Sequence, residues 1–273
     1  MLTPGAVLIA TNNWHVKRTV LPYNGAVRNN SPTTIGDPLK LSDFADCGGP
    51  YDLTSAETDV TWNHRPTTLA ERAVIEHLRD HMAAGASLMH MGVGNSEVYE
   101  VFKGQLDRFV GVSTGASEIA RLKAMISGAA KHKAIVANKH DPRQYPLMRG
   151  PFEVIVDVNL KSFACCRKHF DALMDFYVQE LAPGGAIATA YSGVNYGWPG
   201  TSQASYTPGA SRGPEARVFR SLGQDGLSEL CDRYGLTLQR QELSEVQYGK
   251  LDAEGNQTMH QGAETVLLLV RPL

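Results

Sequence analysis

Cysteine is scarce in this chain: the 273 residues include four, at positions 47, 165, 166 and 231, and two of them are adjacent. That spacing supplies neither a disulfide framework nor a zinc-ligand set, and it fits reduced thiols in a cytoplasm. Cys165 and Cys166 would project about 100° apart on a helix, so buried packing accounts for them better than shared metal ligation. An excess of one charge is also missing, since 26 Lys plus Arg face 28 Asp plus Glu, a formal net charge of −2. Such a balance gives no global field that would draw the protein onto phosphate backbones or anionic lipid. The run Lys131-His132-Lys133 is too short for a basic face, and no Asn-Pro-Pro-Tyr motif for handling a flipped base occurs. No apolar stretch approaches the roughly 20 residues that span a bilayer, and the first residues lack the basic, apolar, small-residue order of a signal sequence. These absences lead us to expect a cytoplasmic protein that engages neither nucleic acid nor membrane.

At 42% hydrophobic residues the chain can bury a large core. Residues 1–70 are rich in Pro, Gly, Asn and Thr, with apolar residues only in short bursts, and read as an irregular N-terminal cap ahead of a domain over 71–273. The spacing of Leu69, Ala73, Val74, His77, Leu78 and Met82 predicts a helix, with Thr67 or Thr68 as N-cap and Gly85 as C-cap. Ala86–Met91 then reads as a buried strand and Glu97–Phe102 as a helix. The alternation continues with strands at Arg108–Val112, Ala134–Ala137, Glu153–Asp157 and Ala186–Ala190. Helices are predicted at Ala116–Ala130, Cys166–Leu181 and Gly226–Tyr234, the second closed by Ala182-Pro-Gly-Gly185. Two strands, Leu236–Gln241 and Glu264–Val270, follow, joined through the hydrophilic stretch Gly249–Gln261. Strands alternating with helices imply right-handed crossovers and a mainly parallel sheet, with ligands at the carboxyl ends of the strands.

Gly92 and Gly94 sit between a strand and a helix, where the missing Cβ permits a tight turn and close approach of a ligand. A lone Gly-x-Gly is equally suited to plain packing. Three later features narrow the reading: a strand ending in Asp157 with Asn159 beyond it, a helix closed by Leu-Ala-Pro-Gly-Gly, and a strand that starts at once. In this order of motifs, from about Leu78 onward, the chain resembles the class I S-adenosylmethionine-dependent methyltransferases. The resemblance implies an α/β, Rossmann-like fold, a mainly parallel seven-stranded sheet with an antiparallel last strand, and S-adenosylmethionine as cofactor. It also implies that His90, Met91, Gly92, Gly94 and Ser96 line the methionine and ribose parts of that cofactor. By the same resemblance Ser113 and Thr114 border the ribose, His140 and Asp141 the adenine, and Asp157 and Asn159 the methyl-transfer centre. Asn63 and Arg65, just before the first helix, offer donors and a cation for the cofactor's carboxylate. Two departures stand out: His90 occupies a place where the family commonly has an acid, and Ser113-Thr114 replaces the acid that takes both ribose hydroxyls. Asn95, Thr114 or Glu118 are candidates to compensate, and the departures also fit a non-catalytic, cofactor-binding relative.

Methyl transfer to oxygen or nitrogen is an in-line displacement that depends chiefly on alignment and exclusion of water. An oxygen acceptor calls for a base, and Asp157, His15 and His64 are the candidates; an amine need only be held uncharged. For each of these residues capping, packing or simple exposure is the competing account. Residues 37–59 carry six acids against Lys40, interleaved with Phe44 and Tyr51, a composition that suits a cationic ligand, although turn-rich segments also use Asp as caps. With Trp14, Tyr51, Asp52, Asn159, Tyr191 and Asn195 as candidate substrate contacts, the leading expectation is N-methylation of an aminosugar, as in aminoglycoside antibiotic tailoring. O-methylation of a sugar, phenol or other natural product is the alternative. No metal is expected, because Thr189-Ala-Tyr-Ser192 adds no second acid to Asp157. A nicotinamide enzyme would need a third glycine where Glu97 stands. A homodimer is the default assembly for an enzyme of this size.

Overall fold

Apolar strands separated by amphipathic helices fold into a single layered unit. The computed structural model describes Trp62 and residues 64–161, 167–194 and 224–273, all within the compact unit Leu39–Leu273. The expected cap up to residue 61 lies outside the described residues, as does Cys165-Cys166. The elements in chain order are α1 (Leu69–His81), β1 (Ala86–Met91), α2 (Glu97–Phe102), β2 (Leu106–Ser113), α3 (Ala116–Met125), β3 (His132–Val136) and β4 (Phe152–Val156). They continue with α4 (Arg167–Glu180), β5 (Leu181–Ala190), the short turn α5 (Tyr191–Val194), α6 (Gln224–Tyr234), β6 (Thr237–Leu251) and β7 (Gln257–Val270).

The sheet has seven strands in the order β3-β2-β1-β4-β5-β7-β6. Pairing is parallel from β3 through β5, while β7 runs antiparallel to both of its neighbours. This is the mainly parallel sheet with an antiparallel last strand that the motif order led us to expect. Each central strand is apolar on both faces because both are covered. Met89, Met91, Val110, Val112, Ile155 and Ile187 join Phe170, Leu173 and Tyr177 of α4 and Leu227 and Leu230 of α6 in one core cluster. Alternate residues face the other way: Phe109 meets Tyr99 of α2 with ring centroids 4.8 Å apart, and His90 approaches Glu71 of α1. Burying each such Val, Leu, Ile or Phe contributes about 1.5–3 kcal/mol.

Several element ends differ from the sequence expectation. Thr68 is the N-cap of α1, its hydroxyl accepting from the Glu71 amide at 3.2 Å. The helix ends at His81, with Met82 extended, so Gly85 is not its cap. Instead Gly85 turns the chain into β1, its amide bonded to the Gln105 carbonyl at 2.7 Å. Helix α3 stops at Met125, because the following residues close a turn through Ala129 before β3. Leu181-Ala-Pro-Gly-Gly185 opens β5 rather than forming a separate closing loop. The largest difference is at the end of the chain. The hydrophilic stretch expected to be a connector is mostly strand, and β6 and β7 form a long hairpin paired out to Leu251 and Gln257. Most of its residues are polar and exposed, so this extension has no hydrophobic alternation by which to recognise it.

Candidate functional site

A cleft of about 580 Å³ opens along the carboxyl edge of β1, β2 and β4, a volume suited to a ligand of cofactor size. Its floor is the glycine turn. Gly92 and Gly94 hold φ of +77° and +48°, a region that side-chain-bearing residues rarely enter. The Gly92 amide donates to the Val112 carbonyl at 2.7 Å and Val93 is fully buried, so the turn is pinned to the neighbouring strand. No atom lies within 4 Å of the point where a Gly92 side chain would begin, which leaves the backbone bare toward the cleft. Asn95 ties the turn to the chain entering α1, its amide nitrogen donating to the Arg65 carbonyl at 3.1 Å and the Thr67 hydroxyl at 2.8 Å. Met91 and His90 line the cleft beside these glycines, whereas Ser96 is fully buried behind the turn, at φ +65°.

At the end of β2, Ser113 and Thr114 both line the cleft, joined by Glu118 from the first turn of α3. The Ser113 hydroxyl donates to one oxygen of Glu118 at 2.6 Å, and the Trp62 amide donates to the other at 3.0 Å. A buried carboxylate therefore stands where the strand itself lacks one. Arg65 also lines this wall, its guanidinium 4.5 Å from the centre of the Trp62 ring.

Beyond β3, the wall consists of Ala137, Asn138 and Lys139 rather than His140 and Asp141. Asp141 is committed to capping the turn over Pro142–Leu147. Its carboxylate takes the Arg143 amide at 3.1 Å and the Arg143 guanidinium twice at 2.7 Å. The His140 amide donates to Asn138 at 2.9 Å, so the loop is held by its own side chains.

Asp157 and Asn159 do line the cleft. Asp157 is 1% exposed, and its two oxygens each lie 2.9 Å from Nζ of Lys139. The Tyr177 hydroxyl of α4 donates to Oδ2 at 2.8 Å. Lys139 also donates to the Asn159 carbonyl at 2.8 Å. Burial lowers the Lys139 pKa, and Asp157 acts in the opposite direction. Burial, with the Asp157 charge beside it, pushes the Tyr177 phenol up. Such a network holds the loop after β4 in place and leaves Asp157 few lone pairs with which to accept a proton.

Glu71 and His90 meet inside the cleft, the imidazole Nε2 lying 3.8 Å from Oε1 of the carboxyl. Burial is the main cause that raises the Glu71 carboxyl to about 8, assisted by Glu97 and Glu118 and opposed by Arg72. Burial lowers His90 to about 3, which keeps it neutral.

The far wall was not legible in the sequence. Ser192 and Gly193 of α5 and Tyr248, Gly249 and Lys250 of β6 complete the lining. Glu264 of β7 anchors Ser192, taking its hydroxyl and, at 3.3 Å, its amide. Tyr191 is 45% exposed and His64 is exposed, and neither lines the cleft. Trp14, His15, Tyr51, Asp52, Asn63 and Asn195 lie outside the described residues. Among the described residues no group of three or more His, Cys, Asp or Glu is placed to hold a metal ion, and no helix is long and apolar enough to cross a membrane.

No protein-family model and no curated protein sequence matches the chain. Among solved structures it is similar to the N-methyltransferase NodS from Bradyrhizobium japonicum WM9, at 14% identity over 74% of this chain and 94% of that one, with a TM-score of 0.46. The same enzyme in complex with S-adenosyl-L-homocysteine matches at 13% identity over 74% and 86%, TM-score 0.46. Precorrin-6y C5,15-methyltransferase from Geobacter metallireducens GS-15 matches at 11% identity over 72% and 86%, TM-score 0.42. These identities and TM-scores are low, and the fold assignment rests on the strand order described above.

Proposed function

We propose that the chain is an S-adenosylmethionine-dependent methyltransferase acting on a small polar acceptor, with the amino nitrogen of an aminosugar as the acceptor atom. The observation that carries the reading is one continuous cleft running from the bare turn Gly92–Gly94, past Ser113, Thr114 and Glu118, to Asp157 and Asn159. S-adenosylmethionine would supply an electrophilic methyl group carried on a sulfonium. The residues present fit its parts. Gly92 and Gly94 give close backbone approach, Glu118 with Ser113 offers a carboxylate and a hydroxyl for ribose, and Ala137 and Asn138 offer an apolar and an amide surface for adenine. Arg65, beside the glycine turn, is a cation that could meet the cofactor's carboxylate.

The amine reading is supported by the state of Asp157. A carboxylate already taken by Lys139 and Tyr177 is poorly placed to deprotonate an alcohol, whereas an amine needs only to be aligned. Asp157 and Lys139 then serve to fix the loop carrying Asn159, beside which the acceptor would be held. Tyr248, carried into the lining by the hairpin, supplies an aromatic side chain of the kind that carbohydrate rings pack against. The acidic stretch 37–59, which suggests a cationic acceptor, lies outside the described residues.

The test is transfer of label from methyl-labelled S-adenosylmethionine to a panel of aminosugars, amino-free sugars and phenols. The expected product carries label on an aminosugar nitrogen. Label on oxygen alone would move the acceptor to the hydroxyl class, and absence of both label and S-adenosylhomocysteine across the panel would contradict methyl transfer.

A further inference from the structure

The first turn of α1 contains an acid, Glu71, with one oxygen that no hydrogen-bond donor meets. Thr68 caps the helix through the Glu71 amide, but the Glu71 side chain does not reach back to complete a reciprocal cap. It turns into the cleft, where its Oε1 is buried without a hydrogen-bond donor. His90 stands beside it, 1% exposed and lining the same wall, with its Nδ1 also unpartnered.

The charges around this pair do not balance. The acids that bear on Glu71 are Glu97 from α2 and Glu118 from α3, and the cation is Arg72 from its own helix. Arg72 is already paired with Glu97 at 3.1 Å. His90, from β1, is neutral and adds no positive charge. A mostly buried carboxyl facing neighbours of its own sign is costly to ionise unless a cation arrives. An anionic ligand would worsen the imbalance, and a neutral one would leave it unchanged.

We propose that Glu71, with His90 beside it, is the seat of a cationic ammonium group of the bound ligand, and that the ligand's arrival drives a proton off Glu71. The proposal rests on the cofactor reading above, in which the ammonium is that of the cofactor's amino-acid part. The proton balance is simple. The carboxyl is largely protonated in the free protein at neutral pH, having been raised to about 8. It becomes a carboxylate when the ammonium pairs with it, and the proton passes to solvent. By linkage, affinity for a cationic ligand then rises with pH below that value, by close to tenfold per unit.

Calorimetric titration of the whole chain tests this with two probes: S-adenosylhomocysteine, which carries the ammonium, and 5′-methylthioadenosine, which lacks it. Measured at pH 7 in buffers of different ionisation enthalpy, S-adenosylhomocysteine is expected to release close to one proton per site, and 5′-methylthioadenosine none. In Glu71→Gln, isosteric with the protonated acid, proton release disappears and the pH dependence of S-adenosylhomocysteine affinity flattens, while 5′-methylthioadenosine binds as before. Binding of S-adenosylhomocysteine without proton release would overturn the seat and leave the cofactor reading standing. Equal loss of both probes in the variant would also overturn it, by showing a structural role. Failure of both probes to bind the unaltered chain would remove the cofactor reading and the seat together.

Discussion

Asp157 shows how one side chain can look catalytic and act chiefly as a tether. Its two oxygens accept Lys139 at 2.9 Å and Tyr177 at 2.8 Å in a buried setting. Removing one partner of a buried ion pair leaves the other uncompensated, typically at a cost of about 3–5 kcal/mol. Lys139→Met is therefore expected to lose stability on the order of 3 kcal/mol, read from urea unfolding, whereas a mere surface pair would lose less than about 1 kcal/mol. Gly193 makes a second residue-scale case. A side chain there would collide with the Val158 carbonyl oxygen, one residue past Asp157. Overpacking of this kind costs about 1–3 kcal/mol, so Gly193→Ala should lower the melting temperature and weaken acceptor binding more than S-adenosylhomocysteine binding. Unchanged kinetics in a destabilised Gly193→Ala would show that α5 does not shape the acceptor end.

At the scale of elements, the β6–β7 hairpin matters most. Gly249 lies so close to Pro66 that a Cβ would fall 2.5 Å from the proline ring, and Gly262 is similarly tight against Leu69. The hairpin thus docks on the entry to α1 and brings Tyr248 and Lys250 to the cleft. Gly249→Val should lift it away and raise the acceptor KM by about tenfold, with a smaller change in kcat, the pattern of lost ground-state binding. An unchanged KM would separate the hairpin from acceptor recognition. The central strands were legible in the sequence because Leu88, Val110, Ile155 and Ile187 belong to short apolar runs buried on both faces. Helix α1 was legible from its spacing and Thr68. The hairpin extension was not, since its exposed residues carry no period of apolar burial. Lys139 was missed for a different reason: its partner is 18 residues away in sequence, and only the parallel crossover brings the two together. Asp141 was misplaced because capping by an acid and contact with a ligand look alike before the turn is seen.

For the molecule as a whole, burial of titratable groups sets the pH range of stability. His77 and His90 are lowered to about 4 and about 3 by burial. A group held below its unfolded value of 6.5 contributes stability that is present above pH 6.5 and is lost as pH falls toward those values. Glu71 acts in the opposite sense. Raised from 4.5 to about 8, it favours the folded state fully below pH 4.5 and loses that contribution as pH rises through 8. Unfolding free energy measured against pH should therefore fall on the acid side below about 6.5, and Glu71→Gln should remove part of the decline on the alkaline side. In Glu71→Gln, where the opposing contribution is gone, a flat profile between pH 4 and 6.5 would mean that His77 and His90 ionise freely in the folded chain.

The central claim is that the cleft over Gly92 and Gly94 binds the methyl-transfer cofactor. Calorimetric titration with S-adenosylhomocysteine, repeated on Gly94→Arg, tests it most directly. Gly94 borders the cleft at φ +48° with its nearest neighbours 3.8 Å away, so an arginine there fills the site at a local strain of about 1–2 kcal/mol. Saturable binding by the unaltered chain, abolished in a variant that still unfolds cooperatively, is the predicted result. No binding by the unaltered chain, or equal binding by both proteins, would contradict it.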